Sequence, residues 1–191
     1  MRSELSPWQQ AKLRDLFGKL DNDGDGRLEE GELRGVLERV WVDTGWPESS
    51  RVVSHVEARW RRFLQALFQA KTGLSEGDWL DHFGAFLKAD REGRVGSEGY
   101  RGPVEELAHL FFLLLDRDRD NGVDPLEFSI FFYALGHRDE ATRTCFERLD
   151  RNGDGSLQRD EVEDMALEFF HGSEPGASGD WLFGPPPLTA V

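Results

Sequence analysis

Three twelve-residue segments carry oxygen-bearing side chains at the same offsets: 21–32 (DNDGDGRLEEGE), 116–127 (DRDRDNGVDPLE) and 150–161 (DRNGDGSLQRDE). Positions 1, 3, 5 and 12 are Asp21, Asp23, Asp25 and Glu32 in the first, and Asp116, Asp118, Asp120 and Glu127 in the second. In the third they are Asp150, Asn152, Asp154 and Glu161. Position 7 (Arg27, Gly122, Ser156) would contribute its backbone carbonyl. Carboxylates, carboxamides and carbonyls are hard donors, and about seven of them at ~2.3–2.6 Å on a flexible loop suit a cation of calcium's size. Magnesium prefers six at shorter range, which makes it a competitor for the same three sites.

This donor order is that of an EF-hand loop, with a bidentate glutamate at position 12. Gly26 and Gly155 stand at position 6, where the chain turns sharply around the ion with positive φ. The middle loop has Asn121 there, one of the few other residues that enter the left-handed region readily, so it is expected to bind at some cost in strain. Position 8 is apolar throughout (Leu28, Val123, Leu157), as expected of a short strand joining paired loops. A single acidic loop could be a solvated turn, because Asp, Asn and Gly favour turns with or without metal. Three full matches between amphipathic helices leave that reading little room.

The elements that must position these loops are legible from helical periodicity. Ser6 and Pro7 open a helix with apolar positions Leu13, Leu16, Phe17 and Leu20. Similar stripes run through Leu33 to Val40, Leu107 to Leu114, Phe128 to Leu135, Cys145 to Leu149 and Val162 to Phe169. Asp124, Pro125 and Glu127 read as N-cap, N1 and N3 of a helix.

EF-hands pair, so three imply a fourth, and 52–87 supplies it. Val56, Trp60, Phe63, Leu64 and Leu67 form one stripe, and Trp79, Leu80, Phe83 and Leu87 another, the second opened by a capping box of Ser75 and Asp78. Aligning Leu74 with position 8 starts that loop at Leu67 and puts Leu67, Gln69 and Lys71 where ligands belong, with an ammonium in the cation's place. Metal binding there is not expected. The expected organisation is all-α, two EF-hand pairs in two lobes packed into a compact globule: 1–92 with a working and a degenerate hand, 99–172 with two working hands, and a tail over 173–191. One helix is expected to give way to the next around Trp41, Trp46 and Pro47, and Ala89 to Gly102, rich in glycine, to form the joint between lobes.

Charge supports the metal reading. The chain of 191 residues has 37 acidic and 23 basic side chains, a net −14. The three loops hold 15 of the acids against 5 bases, so −10 is concentrated in 36 residues that repel themselves unless a cation fills them. Such a balance argues against nucleic acid as a partner, and the apolar runs 110–115 and 130–135 are too short to span a membrane. With a lone Cys145 at a core-facing position, the expectation is a cytoplasmic monomer whose partner is the calcium ion. No nucleophile motif, phosphate loop or zinc spacing points to an enzyme.

Four hands with the second degraded, long helices in the N-terminal half and a tail containing Gly179-Asp180-Trp181 resemble the sarcoplasmic calcium-binding proteins, with prokaryotic calerythrin as a similar member. The resemblance covers nearly the whole chain and implies lobes packed face to face and an intracellular calcium buffer or store. The alternatives are a sensor and a coelenterazine-type luciferin-binding protein or photoprotein, whose ligand the five histidines and the tryptophans would line. Sensors open a Met-rich groove, and 2 Met against 14 Phe and 6 Trp favour the buffer.

Asn152 brings one charge fewer than aspartate, so the last loop should bind calcium more weakly than the first. In isothermal titration Glu161→Gln should remove a weak binding event and Glu32→Gln a tight one; loss of the tightest event in Glu161→Gln would contradict the ranking.

Overall fold

The computed structural model describes residues 5–45, 51–69, 71–92 and 103–187. Four helix-loop-helix units follow one another: α1 (Pro7–Leu20), β1 (Arg27–Leu28) and α2 (Glu30–Thr44); α3 (Arg51–Phe68), β2 (Leu74–Ser75) and α4 (Glu76–Arg91); α5 (Pro103–Leu115), β3 (Gly122–Val123) and α6 (Pro125–Ala134); α7 (Asp139–Leu149), β4 (Leu157–Gln158) and α8 (Arg159–His171). A 3-10 turn, Ser178–Trp181, closes the described chain. The fold is all-α, as the periodicity requires.

Helix starts are set by local chemistry. Ser6 caps α1, its hydroxyl accepting from the Gln9 amide at 3.1 Å while Gln9 Oε1 accepts from the Ser6 amide at 2.9 Å. The four exiting helices each begin at loop position 10, and each is closed by the acid at position 12 reaching back to the position 9 amide. Glu32 accepts from Glu29 at 2.9 Å, and Asp78 from Ser75, Glu127 from Asp124 and Glu161 from Gln158 at 3.1 Å each. The helix α2 ends on Gly45 in the left-handed region. Of the residues expected at that junction, Trp46 and Pro47 lie outside the described residues. So does most of the expected joint, and its first residues belong to α4, which runs on to Arg91.

Two antiparallel ladders pair the loops, Leu28 opposite Leu74 and Val123 opposite Leu157. All four side chains are buried, so each ladder is also the floor of a hydrophobic core. Those cores merge. Trp79 is buried in α4, its indole donating to Leu13 O at 2.9 Å, and Phe83 stacks on Phe170 of α8 with ring planes 4° apart. Helix α2 lies on α6, α3 on α5 and α1 on α8, so the two pairs of hands face each other. The predicted stripes are buried except for Val36, Trp60, Phe63 and Phe111, which are half-buried at their edges. Cys145 is fully buried, and burial pushes its thiol up to about 12, which makes it inert.

One buried ion pair stands inside this packing. Lys12 Nζ lies 2.9 Å from Asp180 Oδ1, both side chains about 1% exposed. Asp180 also accepts from Trp8 Nε1 and from the Gly176 and Ala177 amides, while Lys12 donates to Glu168 O and lies over the Phe169 ring. The pair ties the first helix to the last turn of the chain. Removing one partner strands the other's charge: Lys12→Met should cost about 3 kcal/mol, and Lys12→Met/Asp180→Leu less than the sum of its single variants, read from urea unfolding midpoints of the calcium-loaded protein.

Candidate metal centre

In the first loop each acid is held by the loop's own backbone. Asp21 accepts from the Gly24 and Gly26 amides at 3.0 and 2.9 Å, Asp23 from Asp25 at 3.2 Å and Asp25 from Arg27 at 2.8 Å. Numbered by hand, the loops are 1 (21–32), 2 (67–78), 3 (116–127) and 4 (150–161), and the fourth repeats the scheme of the first. Asp150 accepts from Gly153 and Gly155 at 2.9 Å each, Asn152 from Asp154 at 2.8 Å and Asp154 from Ser156 at 3.0 Å. These contacts wrap the loop around its acids, and carboxylate oxygens of Asp21, Asp23 and Asp25 all lie within 4.8 Å of one another. Asp116, Asp118 and Asp120 do the same in the third loop. Asn152 makes the fourth loop a set of two carboxylates and a carboxamide.

Glutamate 12 closes two of the loops from the far side. Glu32 Oε1 accepts from the Asn22 amide at 2.7 Å and Glu127 Oε1 from Arg117 at 2.8 Å, each at position 2. Among the described contacts Glu161 reaches only its own helix start, Gln158. The position 7 residues differ by need. Ser156 packs so close to Gly122 that a Cβ on the glycine would come within 2.0 Å of its Oγ. Arg27 turns its guanidinium away from its own loop to donate to Gly73 O at 3.0 Å, the corresponding carbonyl of the degenerate hand.

The third loop shows what a cation would do. Asp116 is buried, and its Oδ1 has no hydrogen-bond partner. Burial raises its pKa, backbone amides of Arg119 and Asn121 partly offset this, and Asp120 and Asp118 add to the rise. Burial raises Glu127 as well. An orphaned buried oxygen beside two other carboxylates and a desolvated glutamate fits a divalent cation, which would satisfy the lone pairs and reverse the repulsion. The residues able to hold it are those named above by position, with the position 7 carbonyls.

In the degenerate hand Leu67 is the core residue that its apolar stripe predicts, at the position where a working loop has its first ligand. Helix α3 continues through Leu67 and Phe68, so the first two of the twelve positions belong to the helix. The lysine ammonium is placed as expected: Lys71 at position 5 forms an ion pair with Asp78 at position 12. Lys71 and the capping contacts of Ser75 hold the Asp78 carboxyl down to about 2. With Arg27 on the Gly73 carbonyl, cations of the chain itself occupy the position 7 carbonyl and the position 12 carboxylate of this hand.

The EF-hand family model matches residues 13–37 and 142–166, the first and last hands. The match makes these two hands EF-hands. It is similar to the calcium-binding allergen Ole e 8 of Olea europaea, 25% identical over 157 residues that cover 81% of this chain and 80% of the relative. It is 27% identical to the sarcoplasmic calcium-binding protein of Hediste diversicolor over 68% of this chain and 70% of the relative. Calerythrin of Saccharopolyspora erythraea is 21% identical over 84% and 91%. Among solved structures the calcium-loaded apoprotein of the photoprotein berovin from Beroe abyssicola superposes with a TM-score of 0.68 at 26% identity, covering 83% of this chain and 86% of that one. These relatives agree with the resemblance in the sequence, and calcium binding follows for this EF-hand protein.

The position missed in the sequence is Arg119, at position 4 of the third loop. It has φ 63°, where the other loops use Gly24 and Gly153, and Asn121 adds a second strained residue at φ 70°. Comparing position 4 across the loops would have revealed it. Asn121→Ala should cost the calcium-loaded protein about 1 kcal/mol, because alanine lacks asparagine's tolerance of the left-handed region. Asn121→Gly should cost nothing measurable; thermal unfolding compares the two.

Proposed function

We propose that the protein is a calcium buffer that fills three sites, at loops 1, 3 and 4, without opening a partner-binding groove. The observation that carries this reading is the first helix: α1 is fixed along its length to the C-terminal half. Gln9 donates to Phe170 O at 2.8 Å, Lys12 pairs with Asp180, and Lys19 donates to Phe183 O at 3.1 Å. A sensor exposes apolar surface by swinging the helices of a hand apart, and here that swing would break a buried ion pair. The large apolar side chains exposed among the described residues are Val42, Leu126, Tyr133 and Leu167, spread over three helices.

The luciferin-binding reading has some sequence support, since 72 residues are 35% identical to the luciferin-binding protein of Renilla reniformis, over 37% of this chain and 39% of that one. Cavity size weighs against it. An interior space between the pairs, lined by Trp60, Trp79, Phe83, Phe131 and other apolar side chains, is about 60 Å³, with Phe183 forming part of its wall, and a neighbouring one that shares Trp60, Phe111 and Phe131 is about 30 Å³. A pocket that encloses a drug-sized ligand needs roughly 300 Å³ or more. No histidine is among the lining residues of the larger space. Magnesium competition is part of the buffer reading, because the three calcium-binding loops of berovin bind magnesium.

Isothermal titration should resolve three calcium events, and chelator should lower the melting temperature by ten degrees or more, since ligand binding only the folded state adds about 2.7 kcal/mol per site at a hundredfold excess over Kd. Hydrophobic-dye fluorescence should stay flat as calcium is added. A melt insensitive to chelator, or a large calcium-dependent rise in dye binding, would refute the buffer.

A further inference from the structure

We propose that the tail, Ser178 to Gly184, is a built-in target peptide of the C-terminal pair, whose seating raises the calcium affinity of loops 3 and 4. The inference rests on reading those loops as calcium sites. The tail enters the pair as a partner would. Phe183 packs with ring centroids 4.7 to 6.1 Å from Phe169, Phe111, Phe131 and Phe170, which come from α5, α6 and α8. Together with Leu182 it lines the pair's interior cavity, as do Val123 and Leu157 of the ladder. An aromatic anchor entering an apolar groove between helices is how EF-hand pairs take amphipathic segments.

The tail also touches both helices of the last hand, on either side of its loop. On α7 the Arg148 guanidinium lies 5.5 Å from the Trp181 ring. On α8 Glu168 accepts from the Gly179 amide at 2.9 Å, and the same carboxylate pairs with Arg151 at loop position 2. Seating the tail therefore fixes the angle between α7 and α8 and reaches the loop through one shared carboxylate. In this same arrangement the loop's backbone amides hold Asp150 and Asp154, so tail docking and the ordering of those ligands belong to one conformation. A group that binds the metal-competent state better than the other must raise metal affinity, and metal must tighten its seating in return.

Close packing supplies the test. A Cβ at Gly179 would lie 2.4 Å from Met165 O and 2.6 Å from Glu168 Cβ, both on α8, so Gly179→Val should unseat the tail while keeping its aromatic residues. In the full chain carrying Glu32→Gln, which leaves the C-terminal pair to titrate, Gly179→Val should weaken calcium binding 5- to 150-fold, the usual span of such coupling. Adding a synthetic peptide of residues 176–187 should restore the affinity. Proteolysis between α8 and the tail turn should be faster for Gly179→Val, and faster for the parent chain in chelator than in calcium. Should Gly179→Val fail to fold, Phe183→Ala takes its place, with weakening in the same direction.

Unchanged calcium affinity in a folded variant would overturn the proposal, as would a peptide that restores nothing or proteolysis indifferent to calcium. If the parent chain itself takes up no calcium at loops 3 and 4, it is the reading of the loops that fails. Three events in the unaltered chain with no tail effect would sink the tail's role alone.

Discussion

Everything in this fold hangs on where four helices start. At each start an acid in the third helical position accepts from the amide of the N-cap residue, and in three hands the same acid is the donor expected to grip the cation with both oxygens. One side chain thus fixes the helix start relative to the loop and the loop relative to the ion. The two-residue ladders then hold each start against that of its partner hand, because Leu28, Leu74, Val123 and Leu157 leave the ladders directly into the core. Separating helix start from ligand is costly in such a design. The degenerate hand has no side-chain oxygen at positions 1 and 5 but has Asp78, and with it the cap.

Seen that way, the second hand is a scaffold that no longer needs an ion. Lys71 stands on Asp78 and Arg27 reaches across from the first loop to Gly73, so positive charge is supplied from within. The Lys71 pair is half exposed, where an ion pair contributes at most about 1 kcal/mol. Its value is positional: it keeps the cap acid charged. Leu67, at the former first ligand position, adds apolar burial in place of a metal bond. The ladder to loop 1 can thus form whether or not metal is present in the cell.

The fold and the acidic loops were legible because both are written locally. Periodicity, capping boxes and fixed ligand offsets each involve residues no more than twelve apart, so the starts of α1, α4 and α6 and the ladder positions could be read directly. What escaped was long-range. That Lys12 is buried and paired with Asp180, 168 residues away, follows from the packing of α1 against α8, which no local pattern encodes. Arg27 illustrates the same limit: as position 7 of its loop it counts only as a carbonyl, yet its side chain serves the neighbouring hand.

The three loops, alike in offset, are unequal for reasons that add differently. Loop 1 has glycine at both left-handed positions and three clustered carboxylates, so its acids converge with little backbone cost. Loop 3 pays with Arg119 and Asn121 in that region, but it also buries Asp116, leaving an oxygen with no partner and a carboxyl held above its usual range. Strain and desolvation both raise the free energy of the empty loop, and a cation relieves only the second. Loop 4 has relaxed glycines and one charge fewer, and among the described contacts its Glu161 does not reach across to position 2. Its arrangement depends correspondingly more on what lies outside it. The carboxylate of Glu168, shared between Arg151 and the tail, supplies such a support.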